Sequence, residues 1–375
     1  MSARRTFRSR VAQRGMTLIE VSVATALSVT VLFAVGYAYM RHTNAQRYST
    51  ELAQVQGNGR VALERIGRDI RQAGFVGCNS ALTRFATPRV METSVVFNGT
   101  GAGFTITADN AIRAFRGDAA DSATTWGGGG APANAVADSH VIDVKSASLE
   151  GATRLSGAIP ASGITLPTMG TFEPGRGDDT PTASGRYGLL SDCQGALVIS
   201  VESLNSTSVT LPATRKIGTV SCGHASRVGS DCVYWPTATL YPIRVVQYYV
   251  AEFGTSAAPD RRLMMRKRIM NSDGSIAWNA AQEVMRGVNR LRVIGIGRDV
   301  TQPADPTFRA QTNLEEATSV DPLTLLTAND WQRVVRLDLR LQMQAAKALK
   351  VGDPAVLRNF ESSFSIRARV TADPT

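Results

Sequence analysis

The longest uninterrupted pattern in the chain is apolar: from Val21 to Met40 run twenty residues without a formal charge. As an α-helix at about 1.5 Å per residue, that run covers roughly 30 Å, the thickness of a bilayer's hydrocarbon core. Tyr37, Tyr39, Arg41 and His42 close it, where an interfacial belt belongs. Beyond it Leu52, Val55, Ala62, Ile66, Ile70 and Ala73 recur at steps of three and four or their multiples, which predicts one buried stripe along a continuing helix. Glu64 and Arg68 sit off that stripe, one turn apart, and can pair. Gly57-Asn58-Gly59 interrupts the helical composition, each glycine costing about 1 kcal/mol against alanine. It reads as a tolerated weak spot in preference to a bend. A helix from Met16 to Gln72 would be roughly 85 Å long, with Gly74 and Gly77 ending it.

From there the period changes from helical to two. Val335 to Gln344 alternates apolar and polar strictly, and Phe360 to Val370 repeats the pattern with Phe364, Ile366, Ala368 and Val370 on one face. Ser94–Asn98, Val141–Lys145, Ala196–Val201, Ser208–Leu211, Ile243–Phe253, Leu263–Ile269 and Leu291–Ile296 are further strands. Gly117–Ala137 and Ser156–Gly185, rich in Gly, Ser, Ala, Thr and Pro, read as long surface loops. The expected fold class is α+β: a long N-terminal helix, half of it transmembrane, packed on an antiparallel β-sheet head. The boundaries are a leader at 1–15, a membrane segment at 16–42, an amphipathic segment at 43–76 and a head at 77–375, with neither a repeat nor a linker splitting the head.

Charge adds direction. The chain carries a formal +10, and half of that excess is Arg4, Arg5, Arg8, Arg10 and Arg14, in fifteen residues without an acid. Basic flanks stay in the cytoplasm, so everything beyond Met40 is delivered outside it. The remaining positive balance, spread over a large head, argues only weakly for nucleic acid. Ala24-Thr25-Ala26 resembles a signal-peptide cleavage site, but the apolar run continues for fourteen residues past it, where a cleavage site should end it. A plain anchor helix leaves Glu20 unexplained, because a carboxylate in a bilayer is expensive unless something pairs with it.

Candidate chemistry is sparse. The four cysteines, Cys78, Cys193, Cys222 and Cys232, fall on the non-cytoplasmic side, where disulfides persist. A local Cys222–Cys232 bridge would leave Cys78 for Cys193; three connectivities stay open. No C-x-x-C spacing supports zinc. His42, His140 and His224 read as solvated. No G-x-S-x-G elbow, H-E-x-x-H pair or G-K-[ST] loop occurs, so neither an enzyme nor a cofactor is expected. Gly127–Gly130 reads as a loop tip, and Asp299, Asp305 and Asp321 lack calcium-loop spacing. Arg261-Arg262 and Arg266-Lys267-Arg268 read as a wet strand face in preference to an anion site.

The basic leader, Gly15, Met16, Thr17-Leu18-Ile19-Glu20 and the apolar run together resemble the type IV prepilin signal. The resemblance implies cleavage after Gly15 by a prepilin peptidase, N-methylation of Met16, and pairing of Glu20 with the new α-amino group of a neighbouring subunit, which offsets the cost of burying either charge alone. Arg68-Asp69-Ile70-Arg71-Gln72-Ala73-Gly74-Phe75-Val76-Gly77-Cys78 resembles a stretch of PilW-type minor pilins. So do Ser191-Asp192-Cys193, Val245–Val250, Glu283–Val288 and Trp331 in their order. Ile294-Gly295-Ile296-Gly297-Arg298-Asp299 departs from that family's aromatic-glycine-x-aspartate pattern.

What the resemblance implies is a type IV pilin fold and a minor pilin of the priming and tip complex, supporting pilus assembly, twitching motility, adhesion and DNA uptake. Its partners would be the prepilin peptidase, other minor pilins, the major pilin, a tip adhesin and the inner membrane, with no direct nucleic acid contact. It would sit in the bacterial inner membrane, head in the periplasm, and after assembly at the pilus tip. Two other classes stand beside it: a minor pseudopilin of a type II secretion system, and a surface module binding DNA or an adhesion target.

Overall fold

The computed structural model describes residues 16–75, 77, 94–97, 106–107, 111–118, 131–157, 165–173, 186–191, 196–211, 213, 238–255, 258–270, 276–298, 323, 331, 334–345 and 357–366. Helix α1 (Leu18–Gln72) is followed by β1 (Ser94–Phe97), β2 (Ile106–Thr107), β3 (Ile112–Arg116), β4 (His140–Ala147), β5 (Thr153–Arg154) and β6 (Thr165–Pro167). Then come β7 (Arg186–Ser191), β8 (Ala196–Val201), β9 (Ser203–Leu204), β10 (Ser208–Thr210), β11 (Thr239–Thr255) and β12 (Ala258–Met270). The chain closes with β13 (Ile276–Trp278), β14 (Gln282–Arg286), β15 (Val288–Arg298), β16 (Val334–Gln344) and β17 (Leu357–Ser365). The layout is α+β. It divides into two compact units, one ending at Gln54 and one beginning at Val55.

In the first unit the described chain is helix, and its apolar side chains face outward, Leu18 at 88% and Phe33 at 76% exposure. The hydroxyls inside the apolar run are satisfied within the helix: Ser22 and Thr25 donate to the carbonyls three residues back, at 2.8 and 2.9 Å, and Ser28 and Thr30 to those four back, at 2.7 and 2.6 Å. Such bonds hide polar groups that a lipid environment cannot solvate. α1 is long and apolar enough to cross a membrane.

In the second unit the strands form an eleven-stranded sheet, a β6-β10-β9 sheet and a β15-β16-β17 sheet. Three sheets therefore replace the single expected one, and β1 lies parallel to β8. β11 links the layout. Over Thr239–Pro242 it pairs with β5 and β7, and from Ile243 onward with β4 and β12. Pro242, which has no N–H to give, stands at that handover. The main core gathers Ala62, Ile66 and Ile70 of α1, alternate residues of β3, β4, β11 and β12, and Leu337, Leu339, Leu341 and Met343 of β16. A second core lies around Leu166, Phe172, Leu190, Ile199, Val209 and Leu240.

The predicted stripe is buried from Val55 onward, and β16 buries Leu337, Leu339, Leu341 and Met343 as its alternation marked, while Val335 is half-buried and Val334 takes the core position in its place. Glu64 pairs with Arg71, two turns on, whose guanidinium also covers the Phe364 ring. The last strand begins at Leu357, ahead of the expected Phe360, and ends at Ser365. β6 lies inside an expected loop because Leu166, buried between the half-buried Thr165 and Pro167, pairs with β10. Ala135, inside the other expected loop, bridges to Ala251.

Gly57-Asn58-Gly59 does not interrupt α1. Gly59 is a seat: a β-carbon there would lie 2.6 Å from the Phe360 ring, and one at Gly67 would overlap the Phe364 ring. Eight helical residues span about 12 Å and four strand residues about 13 Å, so the two glycines and two rings match in pitch, with β17 running in the direction of α1. Gly57 meets open space. Gly67→Ala should therefore lower the stability of the full chain in detergent by about 1–3 kcal/mol through overpacking. Gly57→Ala should raise it by up to about 1 kcal/mol through helix propensity. Thermal unfolding of the two variants reads both; equal stabilisation by each would remove the ring-on-glycine packing.

Candidate functional site

Thr17 and Glu20 start the helix as a reciprocal cap. The Glu20 Oε2 atom accepts from the Thr17 backbone N–H at 3.0 Å and from the Thr17 hydroxyl at 3.1 Å, and the Glu20 N–H reaches Thr17 Oγ1 at 3.4 Å. Thr-x-x-Glu is a capping box, which satisfies amide donors that have no partner in the helix and sets a carboxylate at the positive end of its dipole. Thr17-Leu18-Ile19-Glu20 carries that signal in its spacing, so Glu20 has a local partner besides any remote one. Met16, one residue before the cap, is 71% exposed. Gly15 lies outside the described residues.

The other end of α1 meets the sheets through a buried carboxylate. Asp69, 3% exposed, falls on the same face as Ile66 and Ala73. It accepts from the Tyr248 hydroxyl at 2.6 Å and pairs with Arg244 at 3.3 Å, both on β11. The phenol is buried beside a carboxylate, so its pKa is raised, first by desolvation and then by the Asp69 charge. Gly74 (φ 72°) then ends the helix, its N–H donating to the Lys145 carbonyl at 2.9 Å, and Phe75 accepts from Ala147 N–H at 2.8 Å. Phe75 meets Tyr241 edge to face. Gly77 (φ 80°) lies against Ser191, where a β-carbon would be 2.8 Å from the Ser191 hydroxyl oxygen.

The remaining candidates separate. Cys78, Cys193, Cys222 and Cys232 lie outside the described residues, as do His224, Gly127–Gly130, Asp299, Asp305 and Asp321. His42 is exposed and bonds Gln46 at 3.0 Å. His140 is not solvated: it is 4% exposed, and its Nδ1 accepts from the Val293 N–H at 2.9 Å, joining β4 to β15. The basic cluster is largely absorbed into the sheet. Arg261 pairs with Glu252 at 2.7 Å, Arg262 with Asp260 and Glu283, and Arg266 donates to Gln247 at 2.6 Å while its guanidinium lies 4.5 Å from the Trp278 ring centre. Among the described residues no His, Cys, Asp or Glu group of three is placed to hold a metal ion. Asp69, Arg244 and Tyr248 were missed as a unit. The available signals were a carboxylate within an apolar helical stripe and a phenol within an apolar strand.

No family model, curated protein or solved structure matches the chain.

A phenol with a raised pKa makes stability fall at alkaline pH. Below about pH 10 folded and unfolded chains both keep the proton, and above it the unfolded chain loses the proton while the folded one holds it. Tyr248→Phe should thus flatten the stability loss between about pH 10 and pH 11 and cost about 1–2 kcal/mol at neutral pH, where the Asp69 carboxylate loses one donor. Denaturant titrations at neutral and alkaline pH check it; an alkaline slope unchanged in the variant would remove Tyr248 as its source.

Proposed function

We propose that this chain is a minor pilin of the type IV pilus, of the PilW type, acting in the complex that primes and tips the filament. The observation that carries this reading is α1 itself: one unbroken helix, apolar and outward-facing through its first half and buried against antiparallel strands from Val55 onward. A helix that can span a bilayer or enter a filament core, continuous with one that anchors a β head, is what a filament subunit needs. The capped Thr17-Leu18-Ile19-Glu20 start, which follows Gly15-Met16, supports the prepilin part of the reading. The contribution is mechanical and recognitional: a membrane-held helix and a bulky head that contacts neighbouring minor pilins and the tip. Glu20, in this reading, offers its carboxylate to the α-amino group exposed by cleavage.

Mass spectrometry of the membrane-extracted N-terminus tests the class. A chain beginning at N-methylated Met16 is expected; one beginning near Leu27, or retaining Met1, would remove the prepilin reading. Gly15→Leu should leave only the uncleaved form in the inner membrane, because the peptidase needs a small residue before the cut. Glu20→Ala should be processed normally yet reach filaments poorly, measured by immunoblot of sheared pili, and normal incorporation would remove the assembly ion pair.

The contact of Gly77 with Ser191 also bears on the cysteines. Cys78 follows the first and Cys193 stands two residues past the second, which supports a Cys78–Cys193 bridge and by elimination leaves Cys222 for Cys232. Non-reducing peptide mapping of the periplasmic protein should recover those two linked pairs, and a Cys78–Cys222 or Cys78–Cys232 peptide would overturn the assignment.

A further inference from the structure

We propose that the outward face of the β15-β16-β17 sheet docks a partner protein through one of that partner's carboxylates, received between Arg292 and Arg340. The partner's identity as a neighbouring pilus subunit rests on the proposed function; the docking chemistry does not.

The face is built in rows across three strands, and nearly every row closes on itself. Asn289 donates to Gln342 at 2.6 Å and Gln342 to Asn359 at 3.2 Å. Arg336 pairs with Asp338 at 3.1 Å, and Ser363 donates to the same carboxylate at 2.5 Å. Gly295 and Gly297 explain how that pair fits, since a β-carbon at either would press on Asp338 or Arg336.

One row does not close. Arg292 stands directly opposite Arg340 in the antiparallel register, and residues so placed point to the same side with their β-carbons about 5 Å apart. Like charges there repel, and natural sheets avoid the arrangement unless something neutralises it. Arg340 is neutralised by Glu361 at 2.6 Å. The Asp138 carboxylate goes to Arg290, and Arg292 donates to the Asp138 backbone carbonyl at 3.4 Å. Burial and then the Arg292 charge lower the Arg290 pKa, so the positive field of Arg292 is felt along the strand. An exposed guanidinium with no carboxylate among the described residues, held on a rigid strand beside a second guanidinium, matches the fork geometry of an incoming carboxylate.

The test uses the full chain in the membranes of cells that produce it, with a benzophenone amino acid in place of the exposed Ser365 on β17. Irradiation should link one protein through a segment bearing Asp or Glu. Arg292→Glu should cut that yield by about tenfold or more, and changing the partner's acid to Lys should restore it. Arg292→Glu alone should melt no lower than the parent, since the introduced carboxylate faces Arg340; should it melt lower, Arg292→Gln, which keeps length and removes charge, decides by the same yield. No protein adduct, or an adduct whose yield neither variant changes, overturns the proposal. An adduct meeting these criteria on a protein without a prepilin-like N-terminus keeps the docking face and removes the pilus reading.

Discussion

The Asp69 carboxylate is the constraint on which the arrangement of the second unit depends. Taking a charge out of water is unfavourable, and it is tolerated here because Tyr248 and Arg244 receive it within hydrogen-bond distance. Both partners stand on β11, four residues apart, while the apolar neighbours of Asp69 on α1 would pack nearly as well one turn displaced. Apolar surfaces tolerate sliding and a buried carboxylate does not, because a one-turn slip of about 5.4 Å would strand it among aliphatic side chains. The ion therefore specifies register more than it adds stability. Gly59 and Gly67 act in the same sense from the other side of the helix, each admitting one ring of β17 at a spacing that only one alignment satisfies.

β11 carries this constraint into the rest of the molecule. Its even-numbered residues Val246, Tyr248 and Val250 face the core with α1, and Tyr249 and Ala251 face a smaller cluster on the opposite side of the sheet. Its first residues belong to the second core, so one strand serves three packing environments. The 148–152 excursion between β4 and β5 lies on the same flank, with Ser148 donating to the Pro242 carbonyl at 2.8 Å. Proline at a strand handover costs no ladder bond that the neighbours could have made, which is why a residue normally excluded from central strands is accepted there.

Much of this was legible in advance, and the reasons it was or was not are physical. β16 was readable because one of its faces is wet, so alternation survives in the sequence. β4 is buried along its whole length, Asp143 and Lys145 included, so its burial could not be read from polarity. β6 lies in a Gly/Ser/Thr/Pro-rich stretch and includes a proline, and burial along β14 does not alternate, so neither shows a strand period. The helix stripe was readable, but Asp69 within it was not, since its meaning depends on residues some 180 positions later. His140 illustrates the same limit: a lone histidine in a strand looks solvated until Val293 supplies its amide. Gly57-Asn58-Gly59 is tolerated within an unbroken helix, as the sequence suggests, but the seating of the Phe360 ring on Gly59 is hidden, because a helical glycine that weakens a helix and one that admits a ring look identical in one dimension.

Glu20 joins the local and the remote readings of the N-terminus. Its carboxylate already holds the Thr17 amide and hydroxyl, both through Oε2, so an isolated chain with an intact helix start does not leave that charge idle. Under the proposed cleavage after Gly15, the new α-amino group would belong to Met16, the residue just before the capped amide. The carboxylate would then lie beside the amine of its own chain as well as being open to that of a neighbour. Assembly would exchange one neutralising arrangement for another, with the capping bonds keeping the first turn formed throughout. A carboxylate at the positive end of a helix is stabilised before any partner arrives. An acid at this point of an apolar helix is therefore compatible with waiting in a membrane and with packing into a filament.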